Sequence, residues 1–199
     1  MIQQNFSHYS KAAVRENRIK AYEDFIAVAE DLIASKICKP KTLAIRGGSN
    51  GGLLVANAYL MRPDLFGAVH CAVPLLDMKR YKSMMGAESW KEEFGDPDTS
   101  DWDAYLKQFS PYHNVDESRK RYPPILFTSN TRDARVHPGH ARKMTKLLWE
   151  KGRGKRWPTY YYENTGSTGS DVSDAEQYAF VTALAYDFLY RILAKNGTK

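Results

Sequence analysis

Residues 45–54 of this 199-residue chain read Ile45-Arg46-Gly47-Gly48-Ser49-Asn50-Gly51-Gly52-Leu53-Leu54. An apolar strand runs into a Gly-x-Ser-x-Gly pattern, and a helix is expected directly after it. That order is typical of the nucleophile elbow, a tight strand-to-helix turn that lifts one serine hydroxyl above the edge of an α/β sheet. The pattern predicts a serine hydrolase with Ser49 as nucleophile, against the alternative of a loop rich in glycine and serine. Glycines are expected on both sides of Ser49, because a Cβ there would clash with neighbouring backbone.

The composition fits one globular domain over residues 1–199, with 43% hydrophobic and 26% charged residues. The net charge of +6 is spread among acidic residues and is locally dense only from Lys151 to Arg156, which favours a solvated basic face over a nucleic-acid partner. No segment approaches ~20 apolar residues and the first residues lack a signal-peptide pattern. We therefore expect no membrane association and a cytoplasmic location.

Cysteine and histidine spacing gives no indication of a metal site. Cys38 and Cys71 lack ligand spacing and are interpreted as buried free thiols. His137 and His140 are the only close pair of histidines, and no third ligand follows at a recognisable interval. We expect neither a metal nor a cofactor.

Hydrophobic periodicity predicts alternating helices and strands. A helix is expected over about 17–36, since apolar residues recur there at helical spacing: Ala21, Phe25, Val28, Ala29, Leu32 and Ile33. Strands are expected at about 42–46, 68–74, 124–128 and 159–163, with helices at about 51–60, 138–151 and 175–194. Residues 75–122 are interpreted as short helices and loops over a site rather than a second core. The alternation predicts an α/β fold with a mostly parallel sheet and flanking helices.

Reactive groups of such a sheet gather at the carboxyl ends of its strands. Ser49 and Asp133 each follow a predicted strand, and the loop after the last strand is the third such place. The order serine, acid, third loop matches the order Ser, Asp, His of α/β-hydrolases. The third loop is therefore expected to hold a histidine.

Several longer motifs extend the pattern around the serine. They read Gly47-Gly48-Ser49-Asn50-Gly51-Gly52, Arg62-Pro63-Asp64-Leu65-Phe66, Ser89-Trp90 with Phe94-Gly95-Asp96-Pro97, Ser110-Pro111-Tyr112, and Asp133-Ala134-Arg135-Val136-His137-Pro138. With these motifs the chain resembles the catalytic domain of the prolyl oligopeptidase family of serine peptidases, from about Lys11 to about Leu189. The resemblance implies an α/β-hydrolase-like fold, Ser49 as nucleophile, the Asn50 amide as an oxyanion donor and Asp133 as the acid that orients a histidine.

The same resemblance implies a substrate site for short peptides. Trp90, Phe94 and Val136 match an apolar slot for the residue before the cleaved bond, where an indole can stack on a proline ring. Arg135 matches an arginine that holds a substrate carbonyl. Without the resemblance, Trp90 would be interpreted as an aromatic residue that anchors a loop.

The base of the expected triad is missing from the sequence. The family typically follows its last strand with Glu-Asn-x-Glu-Gly-Gly-His-Gly, whereas residues 163–171 read Glu-Asn-Thr-Gly-Ser-Thr-Gly-Ser-Asp, with Gly169 in the position of the histidine. The five histidines all precede the last strand: His8, His70, His113, His137 and His140. His137 and His140 follow Asp133 too closely to serve. Because loss of the histidine costs a serine protease about 10⁶ in turnover, we expect very weak peptidase activity or none.

The family also has strands before the first helix of this chain, and usually a β-propeller. By that resemblance the N-terminal strands of the full fold are missing, and the strand before Ser49 is expected to have one unpaired edge. Expected partners are a separate N-terminal half or a second copy bound through this edge. If such a half exists it would carry any export signal, so a periplasmic location also stays open.

Three functions remain after this comparison. The first is a serine peptidase of short peptides that lacks its catalytic base. Its missing parts are either supplied by another polypeptide, or the chain is a remnant or the product of a sequence error. The second is a carboxylesterase-like hydrolase that shares the elbow. The third is an inactive pseudoenzyme that uses the slot to bind peptides.

Overall fold

A parallel sheet forms the centre of the fold. A computed structural model describes residues 12–84, 90–153, 156–166 and 175–197. Within these ranges the sheet has four parallel strands, hydrogen-bonded in chain order: β1 (Ala44–Gly48), β2 (Ala68–Ala72), β3 (Ile125–Asn130) and β4 (Thr159–Asn164). The predicted parallel α/β arrangement is confirmed. β1 begins later than expected because Pro40–Thr42 forms a turn of 3-10 helix.

Helices precede, connect and follow these strands. They are α1 (Ile19–Ala34), α2 (Asn50–Met61), α3 (Lys91–Phe94), α4 (Asp101–Ala104), α5 (Gly139–Lys151) and α6 (Ala175–Gly197). Short 3-10 turns occur at Arg15–Asn17, Pro63–Leu65, Leu106–Phe109 and Pro111–His113. No described helix is both long enough and apolar enough to cross a bilayer.

Helices cover both faces of the sheet, as the alternation of strand side chains requires. Ile45 and Val69 share one row of the register and are buried in a core with residues of α2 and α5. Arg46 and His70 form the neighbouring row and point to the opposite face. There the Arg46 guanidinium lies 5.4 Å from the ring centre of Tyr186 on α6. Burial on both faces explains the continuous apolar runs of β2 and β3.

The helix expected over 17–36 is confirmed, but its apolar face differs from the prediction. Tyr22, Ile26 and Ala29 are the buried residues of α1. Val28, assigned to the buried face from its spacing, is 60% exposed. Tyr22 is buried because it packs in an aromatic cluster whose other members lie elsewhere in the chain. Helical spacing alone could not identify it.

The segment over 75–122 corrects a second expectation. Its short helices are present, but the segment also contributes most residues of a second apolar core. That core contains Leu75, Met78, Tyr81, Phe94, Tyr105, Leu106 and Phe109, together with Tyr22, Leu53 and Val136. The sequence did not reveal this core, because charged residues separate its members. In addition, short turns bury side chains without a regular period.

β1 lies at one edge of the sheet. Among the described residues it pairs with β2 alone, so the backbone N–H and C=O groups of its other edge lack strand partners. On the neighbouring helix α6, Tyr186 and Tyr190 expose 57% and 73% of their surface. An open strand edge beside exposed aromatic rings favours association with another strand-bearing surface.

We predict that residues 1–199, expressed alone, associate through β1 and unfold at low temperature. The expected result is a concentration-dependent shift to larger species in size-exclusion chromatography, with a broad thermal transition. A monomer that unfolds in one sharp transition above ~60 °C would contradict this prediction.

Candidate active site

Ser49 occupies a strained turn between β1 and α2. Its backbone has φ 56° and ψ −118°, a left-handed conformation that is rare for serine. The turn is held by hydrogen bonds: the Ser49 N–H donates to the carbonyl of Ala72 on β2, and the Ser49 carbonyl accepts from the Gly52 N–H, both at 3.0 Å. Ser49 is exposed at the carboxyl edge of the sheet. This geometry fits the predicted nucleophile elbow.

The glycines around the serine differ in how much space they have. A Cβ added to Gly47 would approach the Gly51 carbonyl to less than 3.0 Å. A Cβ added to Gly52 would also lie less than 3.0 Å from Pro74, whereas one added to Gly51 would meet nothing within 4 Å. The expectation that both glycines of Gly-x-Ser-x-Gly are required is therefore wrong for Gly51. The crowded positions are Gly47 and Gly52.

We predict that Gly47→Ala destabilises the chain by about 1–3 kcal/mol, because the added methyl must push the strand away from the helix. The matched control is Gly51→Ala, which adds the same methyl in open space on a helix and should be neutral or stabilising by up to ~1 kcal/mol. Urea denaturation at one pH measures both variants. Equal destabilisation by the two would contradict the steric argument.

Asp133 lies in the loop after β3, at the same sheet edge as Ser49. Its side chain is buried, with 4% of its surface exposed. One carboxylate oxygen, Oδ1, accepts hydrogen bonds from the backbone N–H groups of Arg135 and Val136, both at 2.9 Å. These bonds fix the direction of the carboxylate, as expected for an acid that orients another group.

A gap separates Ser49 from Asp133. The two residues follow β1 and β3, which are separated by β2, so two strand spacings of about 4.8 Å lie between them. A direct hydrogen bond does not span that distance, whereas an imidazole ring between the two groups can donate to one and accept from the other. The loop after β4 reaches this edge, but Gly169 lies outside the described residues.

The predicted slot residues come together in the second apolar core. The Trp90 ring lies 6.4 Å from the rings of both Tyr81 and Phe94. Val136 is buried in the same core, beside Leu53 of α2. Tyr81 was not singled out from the sequence, and nothing in its local pattern indicates its role. The apolar cluster thus reaches the elbow helix and includes Phe94 of α3.

Asn50 and Arg135 have contrasting surroundings. Asn50 is the first residue of α2, where backbone N–H groups lack partners within the helix. The Asn50 side chain is bound by Arg18 and Glu93, two residues that the sequence analysis did not select. Arg135 is exposed and lies two residues after Asp133.

Every described histidine has hydrogen-bond partners other than Ser49 and Asp133. His70 is buried in β2, where Nδ1 accepts from Arg46 and Nε2 contacts Thr128 at 3.0 Å. The Nδ1 atom of His140 accepts from the N–H groups of Leu76 and Asp77. Burial lowers the pKa of His70 and of His140 to about 4.

The remaining two described histidines also have local roles. The Nδ1 atom of His137 accepts from the Gly139 N–H at 3.0 Å, at the start of α5. His113 pairs with Ser110 at 2.8 Å and packs against Trp102. Neither arrangement places an imidazole between Ser49 and Asp133.

We predict that stability falls as the pH drops from about 6.5 to about 4. His70 and His140 stay neutral in the folded chain, while the unfolded chain binds protons at its ordinary histidine pKa of 6.5. Each histidine therefore removes about 1.4 kcal/mol of stability per pH unit within that window. His140 faces Asp77 and Lys143, which form an ion pair, so Asp77 opposes part of this loss. Urea midpoints measured from pH 7.5 to 4.5 test the slope.

His140→Gln is the matched variant for this titration. It should lower the slope by about a third to a half, because His70 and the half-buried His113, whose pKa is also lowered by burial, remain. Identical urea midpoints for the parent chain at pH 7.5 and pH 4.5 would rule out the assignment of neutral buried histidines.

One cavity lies away from these residues. It measures about 960 Å³ and is lined by residues near the amino ends of the strands, including Lys36, Lys41 and Arg121. None of the candidate site residues lines it. Within the described ranges no group of three or more His, Cys, Asp or Glu residues could hold a metal ion.

Comparison with known proteins agrees with this geometry. The profile of the prolyl oligopeptidase family matches residues 7–194. An uncharacterized peptidase of Sinorhizobium fredii is 42% identical over 185 residues, covering 93% of this chain and 25% of that protein. The solved structure of a post-proline cleaving enzyme from Rickettsia typhi matches with a TM-score of 0.85 and 40% identity, covering 92% of this chain and 26% of that one.

Prolyl oligopeptidase B from Galerina marginata is a further structural neighbour. Its complex with a 35-residue substrate matches with a TM-score of 0.87 and 29% identity, covering 94% of this chain and 26% of that one. The shared architecture is that of an α/β-hydrolase. The chain belongs to the prolyl oligopeptidase family. It spans about a quarter of the length of these relatives.

Proposed function

We propose that this chain is the catalytic part of a serine peptidase that acts on short peptides through Ser49. The observation that carries the proposal is the strained, exposed Ser49 at the start of α2, on the same sheet edge as the buried, oriented Asp133. Residues 1–199 then correspond to one partial α/β-hydrolase domain.

The chemistry is acyl transfer in two steps. The Ser49 hydroxyl attacks the peptide carbonyl, its proton goes to a base, and a C–O bond forms as the C–N bond breaks. The leaving amine takes that proton, and water then hydrolyses the ester and releases the serine. The N–H of Asn50 lies at the positive end of the α2 dipole. It stabilises the negative charge that develops on the carbonyl oxygen during the attack.

Residue spacing in a relative supports the assignment of Ser49 and Asp133. In structures of the Galerina marginata enzyme a serine or an aspartate was replaced by alanine, and the same number of positions separates those two residues as separates Ser49 from Asp133. A third structure replaces a histidine; counted from the serine, its position corresponds to Ser170, one residue beyond Gly169. Neither Gly169 nor Ser170 of this chain carries an imidazole.

The proposed activity is therefore impaired in this chain. Without a base the Ser49 hydroxyl keeps its proton and reacts slowly, while the apolar slot and Arg135 can still hold a peptide. A pseudoenzyme that binds peptides through Trp90, Phe94, Val136 and Arg135 is the second candidate, and the intact aromatic cluster supports it.

We predict that an alkyl fluorophosphonate labels Ser49 only after an imidazole is restored. The parent chain should label at least 100-fold more slowly than Gly169→His, because general-base catalysis contributes about 10²–10⁴. Labelling is measured by mass spectrometry of the intact chain. Ser49→Ala in the Gly169→His background is the control and should remain unlabelled.

Ser170→His distinguishes the two candidate positions of the base. The family motif favours Gly169→His as the active variant, whereas the spacing count favours Ser170→His. Rapid labelling of the parent chain would overturn the proposed impairment. If both histidine variants fold and neither is labelled, the peptidase assignment itself is wrong.

Substrate class separates peptidase from esterase. An enzyme of the peptidase type should prefer a proline-containing peptide amide to a p-nitrophenyl ester after base restoration, because Trp90 and Arg135 suit a peptide. A carboxylesterase-like hydrolase would show the reverse preference.

We further propose that β1 is completed by another strand-bearing polypeptide, either a separate N-terminal half or a second copy. The open edge of β1 supports this proposal, as does the length of the relatives. The chain then acts within an assembly, on peptides small enough to reach Ser49.

A further inference from the structure

Arg18 lies at the centre of a closed polar network beside the nucleophile. Its Nη1 donates to Glu93 Oε1 at 2.6 Å and its Nη2 donates to Asn50 Oδ1 at 2.6 Å. Asn50 Nδ2 completes the triangle by donating to the same Glu93 oxygen at 2.8 Å. The three residues come from the start of α1, the start of α2 and the end of α3, so the network joins distant parts of the chain.

The guanidinium of Arg18 also contacts the aromatic rings of the second core. Its Cζ lies 5.1 Å from the centre of the Phe94 ring and 6.0 Å from that of Tyr22. The Arg18 side chain is 12% exposed and that of Glu93 is 37% exposed. Partial burial and two charge-assisted bonds make this a stronger contact than a surface ion pair.

The helix that carries Glu93 depends on such contacts. α3 has four residues, too few for a helix to be stable without tertiary contacts. Trp90 precedes α3 and Phe94 ends it, so both slot residues move with this helix. Glu93 is bound to Asn50, the residue directly after Ser49, and this bond links the slot to the elbow.

We propose that Arg18 and Glu93 are positioning residues that hold the apolar slot at a set distance from Ser49. This inference rests on the proposed peptidase function of the same site. Arginine suits the role because its fork reaches two acceptors at once, which the single ammonium of lysine cannot do in one plane. A displacement of the slot by about 1 Å would lower the reactivity of slot-bound substrates by up to about 100-fold.

Two serine-directed probes test the proposal in whichever histidine variant, Gly169→His or Ser170→His, is labelled more rapidly by the alkyl fluorophosphonate. An alkyl fluorophosphonate needs Ser49 and a base, whereas a diphenyl phosphonate analogue of proline also needs the slot. Arg18→Met should reduce the labelling rate of the proline probe at least 10-fold relative to the alkyl probe. Glu93→Gln should act in the same direction, and Arg18→Lys should recover part of the loss.

The double variant Arg18→Met with Glu93→Gln tests whether the two residues act as one unit. Its effect should be smaller than the product of the single effects, because both changes break the same contact. Arg62→Met is the matched control: Arg62 joins Glu30 of α1 to Asp64 after α2, at the far end of these helices. It should leave the ratio of the two labelling rates unchanged.

Titration of the parent chain with acetyl-alanyl-prolinamide separates failure of this inference from failure of the proposed function. Arg18→Met should weaken binding of this peptide about 10-fold, and that measurement requires no catalysis. Unchanged peptide affinity, or an unchanged ratio of labelling rates, would overturn the positioning role. Weakened binding without labelling of any histidine variant would leave the positioning role supported and reject the peptidase.

Discussion

The close approach of β1 and α2 at Gly47 is the constraint on which the site depends. The Gly51 carbonyl occupies the space that a Cβ on Gly47 would need, and Pro74 leaves no room for a Cβ on Gly52. This contact bends the chain so sharply that Ser49 adopts φ 56°. Strain of this kind persists only where the surroundings hold it, and here the bond from Ser49 to Ala72 on the neighbouring strand contributes.

Backbone strain extends to the next strand end. Val73 directly follows β2 and has φ 39°, a rare conformation for a β-branched residue and one that its position before Pro74 also disfavours. Its N–H donates to the Thr128 carbonyl on β3 at 2.7 Å. Two strained residues, Ser49 after β1 and Val73 after β2, thus lie at the edge of the sheet where Ser49 is exposed. The rest of the sheet supports that edge with regular parallel pairing.

The second apolar core connects this edge to the substrate slot. Its residues come from α1, α2, the loops over 75–122 and the loop after β3, and no one segment could form it alone. Arg18, Asn50 and Glu93 provide the polar link between the same elements. Apolar packing brings Trp90 and Phe94 together, and the polar network sets where they lie relative to Ser49.

Local patterns in the sequence predicted much of this molecule. The alternation of apolar runs identified the four strands and the four longest helices to within a few residues, because regular elements bury side chains at regular intervals. The elbow was predicted from glycine and serine spacing, and Asp133 from its position after a strand. Residues 75–122 were interpreted less well, since irregular turns have no period that reveals burial.

The amino-acid sequence alone predicted a serine at the elbow and a parallel fold, and it contains no histidine after the last strand. These depend on residue type and order alone. Only the tertiary structure decided which glycines are crowded, that Val28 is exposed while Tyr22 is buried, and that Arg18 binds Asn50 and Glu93. The physical reason is distance along the chain: these contacts join residues that only the folded sheet and its helices bring together.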